Sequence, residues 1–279
     1  MAKATLPALG LGTFRLKGEP LMGSIHKALD LGYRHIDTAQ MYENEETVGA
    51  ALDAHDVPRD EVFLTTKIWH DRLQHDDLLQ SLQESVNRLR VDAVDLALIH
   101  WPSPNDEVPM DEYIGALAEA KKQGLAKNVG VSNFTVAQLE RALSVPGGEE
   151  LVTNQVEVHP FLTNRKVVDA IQRAGLTVTA YMPLAVGKVL EDPTLKKLGE
   201  KYDASAAQVV LAWLHQKDIV VIPSSTKEAH LKANMAALDI TLEQADMDAI
   251  EALNRNERIA DPDFAPDCCL LYTSDAADE

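Results

Sequence analysis

Asp37 closes the run YRHID, and Tyr42 follows five residues later in DTAQMYENE. Lys67 closes VFLTTK, and His100 closes VDLALIH. An acid, a phenol, an amine and an imidazole are the parts of a proton-transfer site. A free phenol has a pKa of about 10 and is a sluggish acid at neutral pH. A nearby ammonium stabilises the phenolate and lowers that value. Tyr42 beside Lys67 could therefore hand a proton to a developing alkoxide. A buried ammonium needs an anion, and Asp37 is the natural partner. His100 would donate a hydrogen bond to a carbonyl oxygen. Each residue also has an ordinary structural reading: a paired Asp and Lys, a packed loop tyrosine, a histidine ending a strand before Trp101 and Pro102. Together, at the ends of apolar runs, they describe a site.

The runs that carry them alternate between strand-like and helix-like patterns. PALGLGTF precedes the helical period of LMGSIHKALDLG, and YRHID follows as a short strand. NEETVGAALDAH reads as a helix capped by Asn44. VFLTTKIW, AVDLALIH, AKNVGVS, LVTNQVEV, LTVTAYMP and IVVIPSS read as further strands, each separated by helical segments. Asn164 is expected to cap one of those helices, and Ser205 with Gln208 to form a capping box on another. Eight strand-helix pairs point to a closed (β/α)8 barrel, with an open doubly wound sheet as the alternative. In such a barrel the C-terminal strand ends carry the chemistry. Three successive strand ends would bring Asp37, Lys67 and His100 into one cleft beside Tyr42.

The 279 residues suit one barrel, expected over residues 1–267. The last twelve, CCLLYTSDAADE, read as a non-native or disordered tail after the Pro-rich DPDFAPD. Both cysteines, Cys268 and Cys269, fall in that tail. A formal charge of -18 argues against nucleic-acid and anionic-membrane partners. No signal peptide and no bilayer-spanning apolar run are visible, so a cytoplasmic location is expected. Gly10-Leu11-Gly12 resembles the start of a dinucleotide fingerprint, but Arg15 stands at the third glycine position. These glycines read instead as close packing at the barrel entrance. HDRLQHDD, from His70 to Asp77, reads as a solvated loop, and no metal is expected.

Over its length, from about Leu6 to Asp267, the chain resembles the aldo-keto reductases. The motifs are LGLGTF, GYRHIDTAQMYENEETVG, TTKIW, DLALIHWP, GVSNF, NQVEVHP, AYMPLA and VIPSST, in that order. It looks most like bacterial reductases of the 2,5-diketo-gluconate and methylglyoxal type. The resemblance implies a (β/α)8 TIM barrel, a nicotinamide cofactor, a small carbonyl substrate and a monomer. It also implies the catalytic tetrad Asp37, Tyr42, Lys67 and His100. Ser132, Asn133 and Gln155 match residues that hold the nicotinamide amide. Tyr181 matches the aromatic that stacks on the ring, with Pro183 and Leu184 beside it. At the adenosine end the chain reads Pro223, Ser224, Ser225, Thr226 and Lys227, where members often read Pro-Lys-Ser. His230 stands at a usual Arg position, and Asn234 matches. Two fixed positive charges for a 2′-phosphate are therefore missing. NADPH is still the expected cofactor, with NADH discriminated less than usual.

Phe14, Trp69 and Trp101 follow strand ends one, three and four and should line the substrate pocket, with Asn105 adding a polar contact. In this family a longer C-terminal tail helps close the pocket, so an open, permissive site is expected. Two other functions fit a complete tetrad. One is a cofactor-bound regulatory subunit with little turnover. The other is a barrel lyase or isomerase using Lys67 as a Schiff-base amine.

Overall fold

The computed structural model describes residues 5–266. Eight parallel strands pair in chain order: β1 (Leu11–Gly12), β2 (His35–Asp37), β3 (Phe63–Ile68), β4 (Val94–Ile99), β5 (Ala126–Ser132), β6 (Leu151–Glu157), β7 (Thr177–Tyr181) and β8 (Ile219–Val221). The sheet then closes on itself. Leu9 bridges Val221 in parallel, and the Gly10 N–H donates to the Val221 carbonyl at 2.8 Å. Consecutive order plus closure defines the barrel and removes the open-sheet alternative. The expected tail, residues 268–279, lies outside the described residues.

Helices α1 (Gly18–Asp30), α2 (Glu45–Asp53), α3 (His75–Arg88), α4 (Met110–Lys122), α5 (Val136–Ser144) and α6 (Arg165–Arg173) each bridge one strand to the next. Between β7 and β8 the chain makes two, α7 (Pro193–Lys201) and α8 (Ala206–Gln216). Helices α9 (Glu228–Ala236) and α10 (Gln244–Glu251) follow β8. The first and last strands are shorter than their apolar runs. Glycines let the chain approach closely at β1. A Cβ on Gly10 would stand 2.7 Å from His35 Nδ1, and one on Gly12 2.5 Å from the Ile222 carbonyl oxygen. Beyond β8, Pro223 has no N–H to extend the ladder.

Alternation decides which side chains face inward. In β4, Ala97 and Ile99 join the large core under the helices, while Leu96 and Leu98 cluster with Leu6 and Val220. Lys67 is the register partner of Leu98, so it shares that inner face. The same logic pairs Asp37 with Thr65 and Ser132 with Gln155.

Two expected caps do other work. Asn44 occupies the N-cap position of α2 but makes no cap bond. Its amide donates to the carbonyls of Thr13 and Leu16, both at 3.0 Å, and its oxygen accepts from Thr38 Oγ1 at 2.6 Å. It thus ties together the loops after β1 and β2. Asn164 is left-handed (φ 48°) and donates to the Glu157 carbonyl at 3.1 Å. The Ser205–Gln208 box is present on α8. An equivalent Thr135–Gln138 box starts α5, encoded by the same spacing, Thr-x-x-Gln, in TVAQ.

His35 lies buried below the site with Nε2 3.1 Å from Thr65 Oγ1. Burial pulls its pKa down to about 4. The native state therefore stays neutral where the unfolded chain, near 6.5, takes up a proton. Its stabilising contribution is complete above pH 6.5 and is lost as pH falls from 6.5 to 4. The loss amounts to about 3 kcal/mol. Urea titrations across that range should show a flatter stability profile for His35→Asn than for wild type. Parallel profiles would remove His35 as the cause.

Candidate active site

Lys67 Nζ is the centre of the site and is fully buried. It pairs with Asp37 Oδ1 and donates to the Thr38 carbonyl at 2.9 Å and to the Tyr42 hydroxyl at 3.3 Å. The other oxygen of Asp37 accepts from Gln155 Nε2 at 2.8 Å. Each group reaches this point because its strand ends here. Tyr42 comes from the single 3-10 turn Gln40–Tyr42 after β2. Its ring packs on Phe14 at 5.1 Å and stands edge-on to His100 at 5.7 Å.

The electrostatics correct one expectation. Burial pushes the Tyr42 phenol up; Lys67 pulls it back and Asp37 pushes it further, and the net direction is up. The phenol stays a proton donor at neutral pH rather than a phenolate. For Lys67, burial alone would pull the value down, but Asp37 and Tyr42 hold it above the usual amine range. Burial holds His100 well below the ordinary imidazole value, and the charge of Lys67 adds to this. His100 is therefore neutral, and its Nδ1 is buried without a hydrogen-bond partner.

Asp37, Tyr42 and His100 line a cavity of about 450 Å³, a size that suits a small-molecule site. Lys67 stands behind them and does not line it. The cavity also takes in Phe14, Trp101, Ser132, Asn133, Gln155, Tyr181, Pro183, Leu184, Pro223, Ser224 and His230. A polar chain links these groups. The Tyr181 hydroxyl donates to Asn133 Oδ1 at 2.7 Å. Asn133 Nδ2 donates to the His100 carbonyl at 2.9 Å and to Ser132 Oγ at 3.1 Å. Ser132 Oγ donates to the Gln155 carbonyl at 2.8 Å.

Other expected residues lie elsewhere. Ser225, Thr226 and Lys227 sit outside the cavity in the loop that leads into α9. Asn234 is buried in α9 near the Tyr33 hydroxyl, which donates to the Leu231 carbonyl at 3.0 Å. Asn105 is exposed in a left-handed turn (φ 52°) and does not reach the pocket. Trp69 lines a neighbouring groove with Gln40 and Arg72, and stands edge-on to His100 of the site at 5.1 Å. The segment expected as a solvated loop is instead a 3-10 turn, His70–Arg72, followed by the first turn of α3 from His75, and His70 packs on Trp69 and Phe264. Among the described residues, no group of three or more His, Cys, Asp or Glu is placed to hold a metal ion.

Residues 254–266 supply part of one side of the cavity. Ala260 lines the cavity, and Phe264 stands edge-on to Trp69 at 5.7 Å and to Trp101 at 5.6 Å. The only signal for this wall was one aromatic inside DPDFAPD. The apolar rim of Met41, Val186 and Leu190, each at least 40% exposed, was also not foreseen. Such large apolar groups stay exposed where a ligand covers them.

A closed parallel barrel with proton-handling groups at its C-terminal strand ends defines a (β/α)8 enzyme. The family model of the aldo/keto reductase family matches residues 8–255. The chain belongs to that family, and it is an oxidoreductase. It is 49% identical over 263 residues to methylglyoxal reductase DkgB of Escherichia coli O157:H7, covering 94% of this chain and 98% of the relative. It is 39% identical to the glyoxal reductase of Bacillus subtilis (strain 168), covering 91% of each. A crystal structure of a candidate 2,5-diketo-D-gluconic acid reductase B superposes with a TM-score of 0.89 at 44% identity, covering 94% of this chain and 93% of that one. Among the described residues, no helix is long and apolar enough to cross a membrane.

Proposed function

We propose that this protein reduces small aldehydes and ketones, keto-aldehydes of the methylglyoxal type among them, with NADPH. The observation that carries the reading is the Asp37–Lys67–Tyr42 chain ending at a cavity wall beside a neutral His100. The cavity fits a nicotinamide cofactor. Ser132, Asn133 and Gln155 offer amide-binding groups at one end, and Tyr181 offers a flat wall beside Pro183 and Leu184. At the other end, Pro223, Ser224 and His230 line the cavity, and Ser225, Thr226 and Lys227 lead into the N-terminus of α9. Free N–H groups at a helix start favour a phosphate, and Lys227 adds a positive charge there. When bound, the reduced nicotinamide supplies the hydride.

The chain's own residues do the rest. Tyr42 stays protonated until it gives its proton to the carbonyl oxygen. Lys67, fixed by Asp37 and the Thr38 carbonyl, stabilises the phenolate left behind. Neutral His100 can present an N–H to the same oxygen and orient the substrate. Phe14 and Trp101 exclude water from one side. Lys67 is poorly suited to form a Schiff base, because three acceptors hold its ammonium and it does not line the cavity.

The test is NADPH oxidation with methylglyoxal, a diketo-sugar acid and an aromatic aldehyde, repeated with NADH. Turnover of at least one carbonyl is expected, with kcat/KM higher for NADPH. Equal values for the two cofactors would overturn the cofactor preference. Tight NADPH binding with negligible turnover of every carbonyl would favour a regulatory, non-catalytic role.

A further inference from the structure

Glu157 ends β6 and takes no part in the proton chemistry, yet it is only 3% exposed. Its Oε1 accepts from His159 Nε2 and from the Ile259 N–H, both at 2.8 Å. Its Oε2 accepts from the Ala260 N–H at 2.7 Å. His159 Nδ1 accepts from the Leu162 N–H at 3.1 Å. The proton of the neutral ring therefore sits on Nε2 and faces the carboxylate. A carboxylate receiving backbone N–H groups makes stronger hydrogen bonds than a neutral acceptor.

Two of the three donors are consecutive backbone groups, 102 and 103 residues further along the chain. They belong to residues 254–266, which form neither helix nor strand. Without a ladder of its own, such a segment depends on point attachments for its backbone groups. Arg255 and Glu257 donate their N–H groups to the Phe161 carbonyl at 3.2 and 2.9 Å. Arg258 binds the Ala260 and Pro266 carbonyls at 3.0 and 3.1 Å, which cinches the turn but does not fix it to the barrel. The Thr163 N–H donates to Asn254 Oδ1 at 3.1 Å and Lys188 pairs with Glu257, while Glu157 supplies the attachment that holds Ala260 itself. Ala260 lines the cavity itself, and Phe264, four residues on, walls Trp69 and Trp101. Residues two apart on a strand share a face. One face of β6 thus carries both Gln155, bonded to Asp37, and Glu157, bonded to this segment.

We propose that Glu157 is a positioning residue that clamps residues 254–266 over the cavity, and that it sets carbonyl affinity through Phe264. The kinetic half rests on the reductase reading. In Glu157→Gln an amide N–H meets an N–H donor whichever way the side chain turns, so the clamp loosens without a change of shape.

The test has a structural and a kinetic arm. In Glu157→Gln, with the far-ultraviolet circular dichroism of wild type, trypsin should cut after Arg255 or Arg258 about tenfold faster, as expected for a loss near 1.4 kcal/mol. Ile259→Pro removes one donor without touching the carboxylate and should give the same faster cleavage after Arg255, the bond after Arg258 being closed to trypsin by the new proline, which covers the case where Glu157→Gln fails to fold. KM for an aromatic aldehyde should rise about tenfold while NADPH affinity holds, again near 1.4 kcal/mol. In a Phe264→Ala background, Glu157→Gln should add nothing further to KM. Unchanged cleavage would overturn the clamp whether or not the enzyme reduces carbonyls. Faster cleavage with unchanged KM, or with independent effects of the two substitutions, would overturn the route through Phe264. Absence of turnover in wild type would sink the reductase reading and the kinetic half with it.

Discussion

Tyr42→Phe is expected to lower kcat/KM for carbonyl reduction by about a thousandfold, within the range for loss of a general acid. Cofactor binding should persist. The substitution deletes one oxygen and keeps the ring that packs on Phe14 and His100. The loss is therefore chemical rather than structural. Steady-state kinetics with NADPH binding followed by fluorescence would separate the two. Because burial holds the phenol above its ordinary range, reduction in the wild type should fail only on the far basic side of its pH profile. Near-wild-type turnover in Tyr42→Phe would remove Tyr42 as the acid.

Lys67→Met should remove most activity and also destabilise the fold. It leaves the Asp37 carboxylate buried, with Gln155 as its remaining side-chain donor. Breaking a buried pair from one side costs about 3–5 kcal/mol, because an uncompensated charge stays behind. Adding Asp37→Asn to Lys67→Met removes that charge. The double variant should regain much of the stability and none of the turnover. Urea midpoints and kcat/KM, measured on both variants, decide it. A single variant as stable as wild type would show that the ion pair contributes nothing to the fold. A double variant with wild-type turnover would show that the pair is not part of the chemistry.

The sequence by itself determined the repeating frame. Apolar runs of strand length alternating with amphipathic helices admit few arrangements, and their number set the barrel. It also named the residues that the strand ends bring together, because a polar or charged residue closing an apolar run has few places to go. Asp37, Lys67 and His100 were legible for that reason, and Ser205 with Gln208 because a cap is a local event. Tertiary structure decided what depends on distance in space. The direction of the Tyr42 shift follows from how much protein surrounds the ring, and no spacing reports that. Asn44 looked like a cap but bonds two loops, because its Oδ1, the atom that would accept from the helix N–H groups, accepts from Thr38 Oγ1 instead. Trp69 and Asn105 follow strand ends yet lie off the cavity, since their direction is set by loop backbone. The wall made by Ala260 and Phe264, and its attachment to Glu157, join residues about a hundred positions apart in a segment without periodic pattern. Local pattern encodes elements; only packing decides which loops meet and how deeply a charge is buried.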